Sequence, residues 1–316
     1  KGGMIMAANV ESMFYTRTAP WHGLGTRVAE ALSSKEALQV AGLDWKVRAQ
    51  EIYTEDGTKI TGMKANVRDK DQKILGVVTD KYQIVQNEEA FAFTDELLGY
   101  GVRYETAGSL QDGKRTWMLA KLPGEYRLVG DEVIPYLVFS NSHDGSGAIK
   151  VALTPVRVVC QNTLNLALAT APRSWTTIHV GDMSAKMEDA TRTLFQARYY
   201  MMSLEKEAEN LSMIKMSDGQ VEDMIESLLP LKKDGTPIQD KNIQRLREDM
   251  RRRYHDAPDL DGMDKNGYRF LNAVSDFATH GRPLREARNF KEALFARTMD
   301  GGTIMDRAYQ MVLQAV

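Results

Sequence analysis

Two apolar runs separated by a short polar segment constrain the fold more than any other part of the chain. Val133–Phe139 contains β-branched and aromatic residues and predicts a strand. Ala148–Cys160 is rich in valine and predicts one or two further strands, with Thr154-Pro155 marking a bulge or an edge position. Between them lies the polar segment SNSHDGSG, Ser140–Gly147, whose Asp144-Gly145 step fits a tight reversal. We therefore predict a turn between two antiparallel strands.

The order of the predicted elements indicates an α+β fold. Through residue 180 short runs such as Trp45–Tyr53 alternate between apolar and polar residues, which is typical of antiparallel strands. After residue 180 apolar residues such as Met187 and Ala190 recur at helical spacing. We therefore predict a strand-rich antiparallel α+β core domain at residues 1–180, followed by an all-helical domain at residues 181–316.

Composition limits the partners and the cellular compartment that fit the protein. The chain has 316 residues and a formal net charge of -2, so any binding of nucleic acid must come from a local basic surface. The one cysteine, Cys160, allows no intrachain disulfide and fits a reducing, cytoplasmic environment. No apolar run reaches the roughly 18 residues of a membrane-spanning helix, so we expect no membrane partner.

A segment near the start, WHGLGT, places two large side chains, Trp21 and His22, among glycines that predict a loop. Trp21 packs against the strand-rich core if it has the usual role of a buried aromatic residue, and His22 then bonds to the backbone. The alternative is a binding loop, because ordered irregular loops often carry function.

Five motifs together carry a resemblance to a known family. The chain resembles phage- and plasmid-borne proteins that have an N-terminal WHGLGT signature and are grouped under a domain of unknown function. The shared motifs are Trp21–Thr26, Val78–Tyr82, Glu105–Ser109, Ser142–Ser146 and Arg157–Thr163. Within them the family-motif residues that we single out are Trp21, His22, His143, Asp144 and Asn162.

The resemblance implies a mobile-element protein in the cytoplasm of a bacterial host, and it brings no established catalytic residue or cofactor. A strand-rich core followed by helices is also similar to phage single-strand annealing proteins of the Rad52 type. This likeness implies a homo-oligomer that binds single-stranded DNA.

Two kinds of catalytic site are weakly indicated. His143, Asp144 and His179 could supply nitrogen and oxygen ligands, but they lack the spacing of a zinc motif, so we expect no metal. Cys160 with His143 has the residue types of a thiol hydrolase. Because Cys160 ends an apolar run, we expect it to be a packed, unreactive side chain, and we assign no catalytic residue.

A nucleic-acid surface is indicated by local cations and aromatic rings. Binding of a single strand needs cations along a groove and aromatic faces on which bases stack. The alternative for each cation is a solvated side chain or an ion pair with a neighbouring carboxylate. The candidate residues are Lys114, Arg115, Lys150, Arg157, Arg173, Trp175, Arg247 and Arg251.

The last two of these residues lie in an arginine-rich helical segment. Ile243, Leu246 and Met250 have helical spacing and predict its buried side. Arg247 and Arg251 are then expected to project together away from the core.

Three functional hypotheses follow. The first is a non-catalytic protein that binds single-stranded DNA in phage or plasmid recombination or replication. The second is a phage assembly or host-interaction protein that binds no DNA. The third is a hydrolase that uses Cys160 and His143.

Overall fold

The structure is a computed structural model that describes residues 10–15, 26–27, 33–92, 103–157, 174–185, 188, 196–231, 235–281 and 303–315. Strands dominate the described part of the first half, and helices dominate the described part of the second half. The predicted α+β fold class is therefore confirmed.

Eight strands form the larger sheet. In chain order they are β1 (Val10–Tyr15), β2 (Thr26–Arg27), β6 (Arg103–Leu110), β7 (Arg115–Lys121), β8 (Tyr126–Leu128), β9 (Asp131–Ser142), β10 (Ile149–Arg157) and β11 (Ser174–Thr177). The order across the sheet is β11-β10-β9-β7-β6-β1-β2, and β8 pairs with β9 off this path. The β6–β7 and β7–β9 ladders are antiparallel.

The predicted polar turn lies between β9 and β10, which are neighbours in this sheet. Ser140 and Ser142 belong to β9, so the turn is shorter than the predicted segment and covers residues 143–148. Strand β10 runs through Pro155 without a break. Its ladder with β11 ends at Ala152, so Pro155 lies where no described strand pairs with that edge, as the sequence predicted.

A second sheet has three antiparallel strands in the order β3-β4-β5. These are β3 (Val47–Tyr53), β4 (Lys59–Arg68) and β5 (Ile74–Thr79). Helix α1 (Ser34–Val40) precedes β3 and begins with the predicted capping box of Ser33 and Glu36. Helix α2 (Asn87–Ala92) follows β5.

The second half of the chain forms helices α3 (Ala197–Met213), α4 (Asp218–Leu228), α5 (Pro237–Asp256), α6 (Gly267–His280) and α7 (Thr303–Leu313). Capping boxes begin α4 and α5, because a serine or threonine and a glutamine three residues later satisfy each other's backbone N–H groups. No helix within the described ranges is long and apolar enough to cross a membrane.

One buried guanidinium organises the end of α5. Arg269 is 9% exposed, and it donates to the carbonyl oxygens of Tyr254 (3.0 Å), Leu260 (2.6 Å) and Met263 (2.7 Å). The helix end and the turn after it therefore have partners for carbonyls that would otherwise be buried without one.

The chain divides into two compact units. The first contains residues 1–123, 136–153 and 174–196, and Tyr104, Met118 and Phe139 are fully buried in its core. The second contains the remaining residues, and Tyr200, Tyr254 and Phe270 are fully buried in its core. The boundary predicted at residue 180 stays a prediction.

The β8–β9 turn contains a strained residue. Leu128 pairs with Asp131, so Val129 and Gly130 form a two-residue turn, with φ angles of 51° and 90°. Positive φ is unfavourable for a β-branched residue, whereas asparagine adopts it readily.

Replacing Val129 by Asn is expected to raise the free energy of unfolding by about 1 kcal/mol, because the left-handed backbone is less strained for asparagine. Thermal unfolding measures this as a shift of a few degrees. Val129→Thr is the matched control and should not stabilise, because it keeps the β-branch. Equal melting temperatures for Val129→Asn and the parent would contradict the assigned turn.

Candidate functional site

The turn after β9 is closed by its own polar side chains. The Ser142 hydroxyl accepts a hydrogen bond from the Gly147 N–H (3.0 Å) and donates to Asp144 Oδ1 (3.1 Å). Asp144 Oδ1 also accepts from the Ser146 N–H (2.9 Å). Burial raises the pKa of Asp144, but the hydrogen bonds from Ser146 and Ser142 outweigh burial and leave that pKa below its usual range.

His143 lies at the start of this turn and is fully buried. Its Nε2 is 3.0 Å from Asn87 Oδ1, and the Asn87 amide donates to the carbonyl of Leu43 (3.0 Å). With the Asn87 oxygen as the acceptor, Nε2 must carry the proton. The pKa of His143 is lowered to about 3, mainly by burial and to a smaller extent by the charge of His179, while Asp144 opposes the shift.

The backbone beside His143 is held by residues of the three-stranded sheet and the loop after it. Asn66 of β4 donates to the His143 carbonyl (2.7 Å), and the Tyr82 hydroxyl donates to the Ser142 carbonyl. Asn141 donates to the Val85 carbonyl (3.1 Å). We call the five side chains that make these buried contacts the inter-sheet clasp: Asn66, Tyr82, Asn87, Asn141 and His143.

Two glycines let the sheets approach closely at the clasp. A Cβ atom on Gly76 of β5 would lie 2.5 Å from the Asp144 Cα, so no other residue fits there without a backbone shift. A Cβ on Gly145, which has φ of 75°, would lie 2.9 Å from Val78 Cγ1. The turn and β5 therefore pack backbone against backbone.

Aromatic rings complete the surroundings of the clasp. The Trp45 ring packs edge-on against His143 at 5.3 Å between centroids. His179 stacks on Tyr82 at 4.5 Å, and its Nδ1 is 2.9 Å from the Gln83 carbonyl. Each histidine is thus part of a packed interface between chain segments.

The clasp changes the interpretation of several sequence motifs. His143 and Asp144 hold the turn and both sheets together, and the buried imidazole is unsuited to act as a base on a substrate in solvent. Asn87, the first residue of α2, uses its side chain to bond to Leu43 and His143. Among the described residues no group of three or more His, Cys, Asp or Glu could hold a metal ion.

The arginine-rich helix α5 differs from its prediction. Arg247 was expected to project away from the core, but it is only 5% exposed and donates to Glu226 Oε1 (2.9 Å) and the Leu229 carbonyl (3.0 Å). Arg251 binds both carboxylate oxygens of Glu222. The expected orientation of Arg247 is therefore wrong.

These pairs form one antiparallel ladder between two helices. Glu222 and Glu226 of α4, four residues apart, pair with Arg251 and Arg247 of α5, which are also four residues apart. The hydrogen bond from Arg251 holds the pKa of Glu222 below its usual range. Both candidate arginines thus have carboxylate partners inside their own unit.

Of the remaining α5 arginines, Arg252 and Arg253 form ion pairs, and Arg245 and Arg252 are exposed. Asp249 pairs with Arg253 at 3.1 Å. Arg252 pairs with Asp249 rather than with Glu248, and its side chain is 69% exposed. Arg245 is also exposed.

The strand candidates Lys150 and Trp175 do not share a surface. In the β10–β11 ladder Lys150 lies opposite Thr176, whereas Trp175 lies opposite the buried Val151. Because successive residues of a strand point to opposite faces, the half-exposed ammonium and the half-exposed indole lie on different sides of the sheet.

The central strands of the larger sheet have one buried face and one face that is half-exposed at its two ends, with the buried Trp117 and Val138 between them. Thr116, Met118 and Ala120 of β7 point to the buried face. Arg115, which is one of the candidate residues, and Lys121, which is not, point to the other face, and both are half-exposed. Arg115 lies opposite Ser142 and donates weakly to Ser146 Oγ (3.3 Å), while Lys114 precedes it at the hairpin turn.

A row of polar side chains crosses the opposite end of this half-exposed face. Arg103 of β6 lies opposite Lys121 of β7, and Lys121 lies opposite Tyr136 of β9. Arg103 is exposed, and the other two are half-exposed. We call Arg103, Lys121 and Tyr136 the cross-strand row. Sequence analysis missed it, although the two-residue spacing of Arg115, Trp117, Leu119 and Lys121 indicated a shared face.

The remaining predicted residues lie outside the described part of the chain. These are Trp21, His22, Cys160, Asn162 and Arg173, and the side chain of Arg157 is likewise not described. The expectations for Trp21 as a core residue and for Cys160 as a packed thiol stay predictions.

Comparison with known proteins identifies a family. Residues 74–299 match the family described as Domain of unknown function (DUF932). The chain belongs to this family. The matched span includes the turn of the clasp, the cross-strand row and the ladder of α4 and α5. No curated protein and no solved structure matches the chain.

The buried neutral imidazole of His143 predicts a pH dependence of stability. The unfolded state binds a proton below pH about 6.5, whereas folded His143 does so only near pH 3, so stability is full above pH 6.5 and falls as the pH falls. We expect the free energy of unfolding to drop by about 2 kcal/mol between pH 7 and pH 5, before most carboxylates titrate.

Urea unfolding at several pH values measures this slope. His143→Gln should flatten it, whereas the matched control His255→Gln, at an exposed histidine of α5, should leave it unchanged. If His143→Gln keeps the pH dependence of the parent's free energy of unfolding, another group causes that dependence.

Proposed function

We propose that the protein is a non-catalytic protein that binds single-stranded DNA on the half-exposed face of its central sheet. The observation that carries the proposal is the cross-strand row, in which an exposed guanidinium, an ammonium and a phenol ring lie side by side on three adjacent strands. Single strands are held by cations that contact phosphates and by aromatic rings on which bases stack. The row supplies both.

Two further cations lie at the other end of the same face. Arg115 and Lys114 lie at the β6–β7 hairpin, and Arg115 shares its strand face with Lys121, six residues further along. At about 3.3 Å per residue the two cations are about 20 Å apart, and the buried Trp117 lies between them, so the proposal rests on the cross-strand row.

The ion pairs of the α5 arginines also favour the sheet, rather than the helical unit, as the DNA-binding surface. Arg247 and Arg251 would have to leave Glu226 and Glu222 to contact phosphates. Breaking a partly buried ion pair leaves a carboxylate without its partner, so these residues are poor phosphate contacts. Lys121 needs no such exchange, because it is not paired with a carboxylate among the described residues.

The resemblance to phage- and plasmid-borne proteins supports a setting for this activity. We place the DNA-binding protein in recombination or replication of a mobile element in a bacterial cytoplasm, where strand annealing is a candidate activity. The burial of His143 argues against the hydrolase hypothesis, because that histidine would have to reach solvent to serve Cys160.

The test is fluorescence anisotropy of a labelled oligonucleotide across a salt series. Arg103→Gln with Lys121→Gln should flatten the dependence of log affinity on log salt by about 1.4, since each lost phosphate contact removes about 0.7 for a single strand. Tyr136→Leu should weaken binding roughly tenfold without changing that slope, since stacking on an aromatic ring contributes about 1–3 kcal/mol per base.

Arg252→Gln is the matched control, because it removes a cation whose side chain is 69% exposed on α5. It should bind like the parent. If the parent binds no oligonucleotide at low salt, the alternative of an assembly or host-interaction protein replaces this proposal. If the row variants bind with the parent slope, the DNA lies elsewhere.

A further inference from the structure

The outer edge of β3 has backbone groups aimed away from its own sheet. The Val47 N–H donates to Gln86 Oε1 (2.9 Å), and Gln86 Nε2 donates to the Val47 carbonyl (2.8 Å). Because hydrogen-bonding direction alternates along a strand, the N–H and C=O groups of Ala49 and Glu51 point the same way as those of Val47. Within the described part of the chain no strand pairs with them.

The ribbon formed by β3 and β4 extends beyond the packed part of its sheet. From Arg48 to Gly62 every side chain is exposed except that of Ile52, which is half-exposed. Apolar groups are among them, since Tyr53 is 55% and Ile60 is 37% exposed. Beyond Glu51 only β3 and β4 remain, since the pairing of β4 with β5 ends at Met63. A two-stranded ribbon is marginal in water, so a strand added along β3 would stabilise it.

The charges along β3 favour a second copy of the same strand as that added strand. Lys46 and Arg48 outnumber Asp44 at the packed end, whereas Glu55 and Asp56 lie at the turn and Glu51 is paired with Lys59 of β4. A copy rotated into antiparallel pairing places the more positive end of each strand beside the negative end of the other. Charges of both signs are mixed along the ribbon, so it is not built for a polyanion or a polycation.

We propose that β3 is a self-association site, at which the β3 strands of two copies pair antiparallel about Gln50. Ala49 of each copy then lies opposite Glu51 of the other, and their outward backbone groups make four hydrogen bonds. The two three-stranded sheets become one continuous sheet, as in recognition by strand addition. This inference is independent of DNA binding.

The neighbouring registers are excluded. With Ala49 on the axis, Glu51 would pair with Val47, whose backbone groups are already bound by Gln86. With Glu51 on the axis, two carboxylates would lie directly opposite each other, which destabilises a sheet. Gln50 therefore lies on the two-fold axis.

Cysteine cross-linking of the full chain tests the register. In a Cys160→Ser background, Gln50→Cys should form a disulfide-linked dimer under mild oxidation, because two residues on the axis have Cα atoms about 4.5 Å apart. The matched control is Arg48→Cys, which puts the two thiols about 13 Å apart and should stay monomeric. Absence of a Gln50→Cys disulfide, or equal yields for both variants, would overturn the proposed register.

Sedimentation velocity over a concentration series tests the association without a covalent bond. Lys46→Glu and Glu55→Lys should each weaken the dimer roughly tenfold, and the double reversal should restore it, because the complementary ends are exchanged. Thermal unfolding confirms that each variant is folded. A parent that stays monomeric at every concentration would overturn the proposal and leave the edge to an extended segment of a different protein.

Discussion

The hydrogen bond between the buried His143 imidazole and Asn87 is the contact on which the strand-rich unit depends. It fixes a turn of the larger sheet against the start of α2, while Asn66 and Tyr82 hold the adjacent carbonyls. A buried hydrogen bond contributes only about 1 kcal/mol, but losing one partner and leaving the other unsatisfied costs about 1–3 kcal/mol. The glycines at positions 76 and 145 are needed because this contact brings two backbones together.

In the helical unit, charged side chains likewise bind groups of the same unit. Arg269 holds the carbonyls at the end of α5, and the ladder of α4 and α5 pairs Arg247 and Arg251 with carboxylates. Arg247 and Arg251, which look functional in the sequence, are therefore occupied by structural partners. The surfaces that we propose for external partners are the cross-strand row on the central sheet and the open edge of β3.

The sequence allowed the fold class and the turn to be predicted, because alternation along strands and the Asp144-Gly145 step are local signals. The role of His143 could not be predicted, since its partners lie 77 residues away at Asn66 and 56 residues away at Asn87. Spacing on α5 correctly marked Met250 as buried, whereas Ile243 and Leu246, which it also marked, are half-exposed. It missed Arg247, because only the neighbouring helix supplies the carboxylate that lets a guanidinium replace an apolar side chain there.

Nitrogen NMR of the histidine side chains tests the central claim, that His143 is a buried structural donor, most directly. The account predicts a neutral ring protonated on Nε2, with signals that do not change between pH 7.5 and pH 5. The exposed His255 provides the comparison in the same spectra. A His143 ring that titrates near its ordinary pKa of about 6.5 would contradict the account, because such a ring would have to be in contact with solvent.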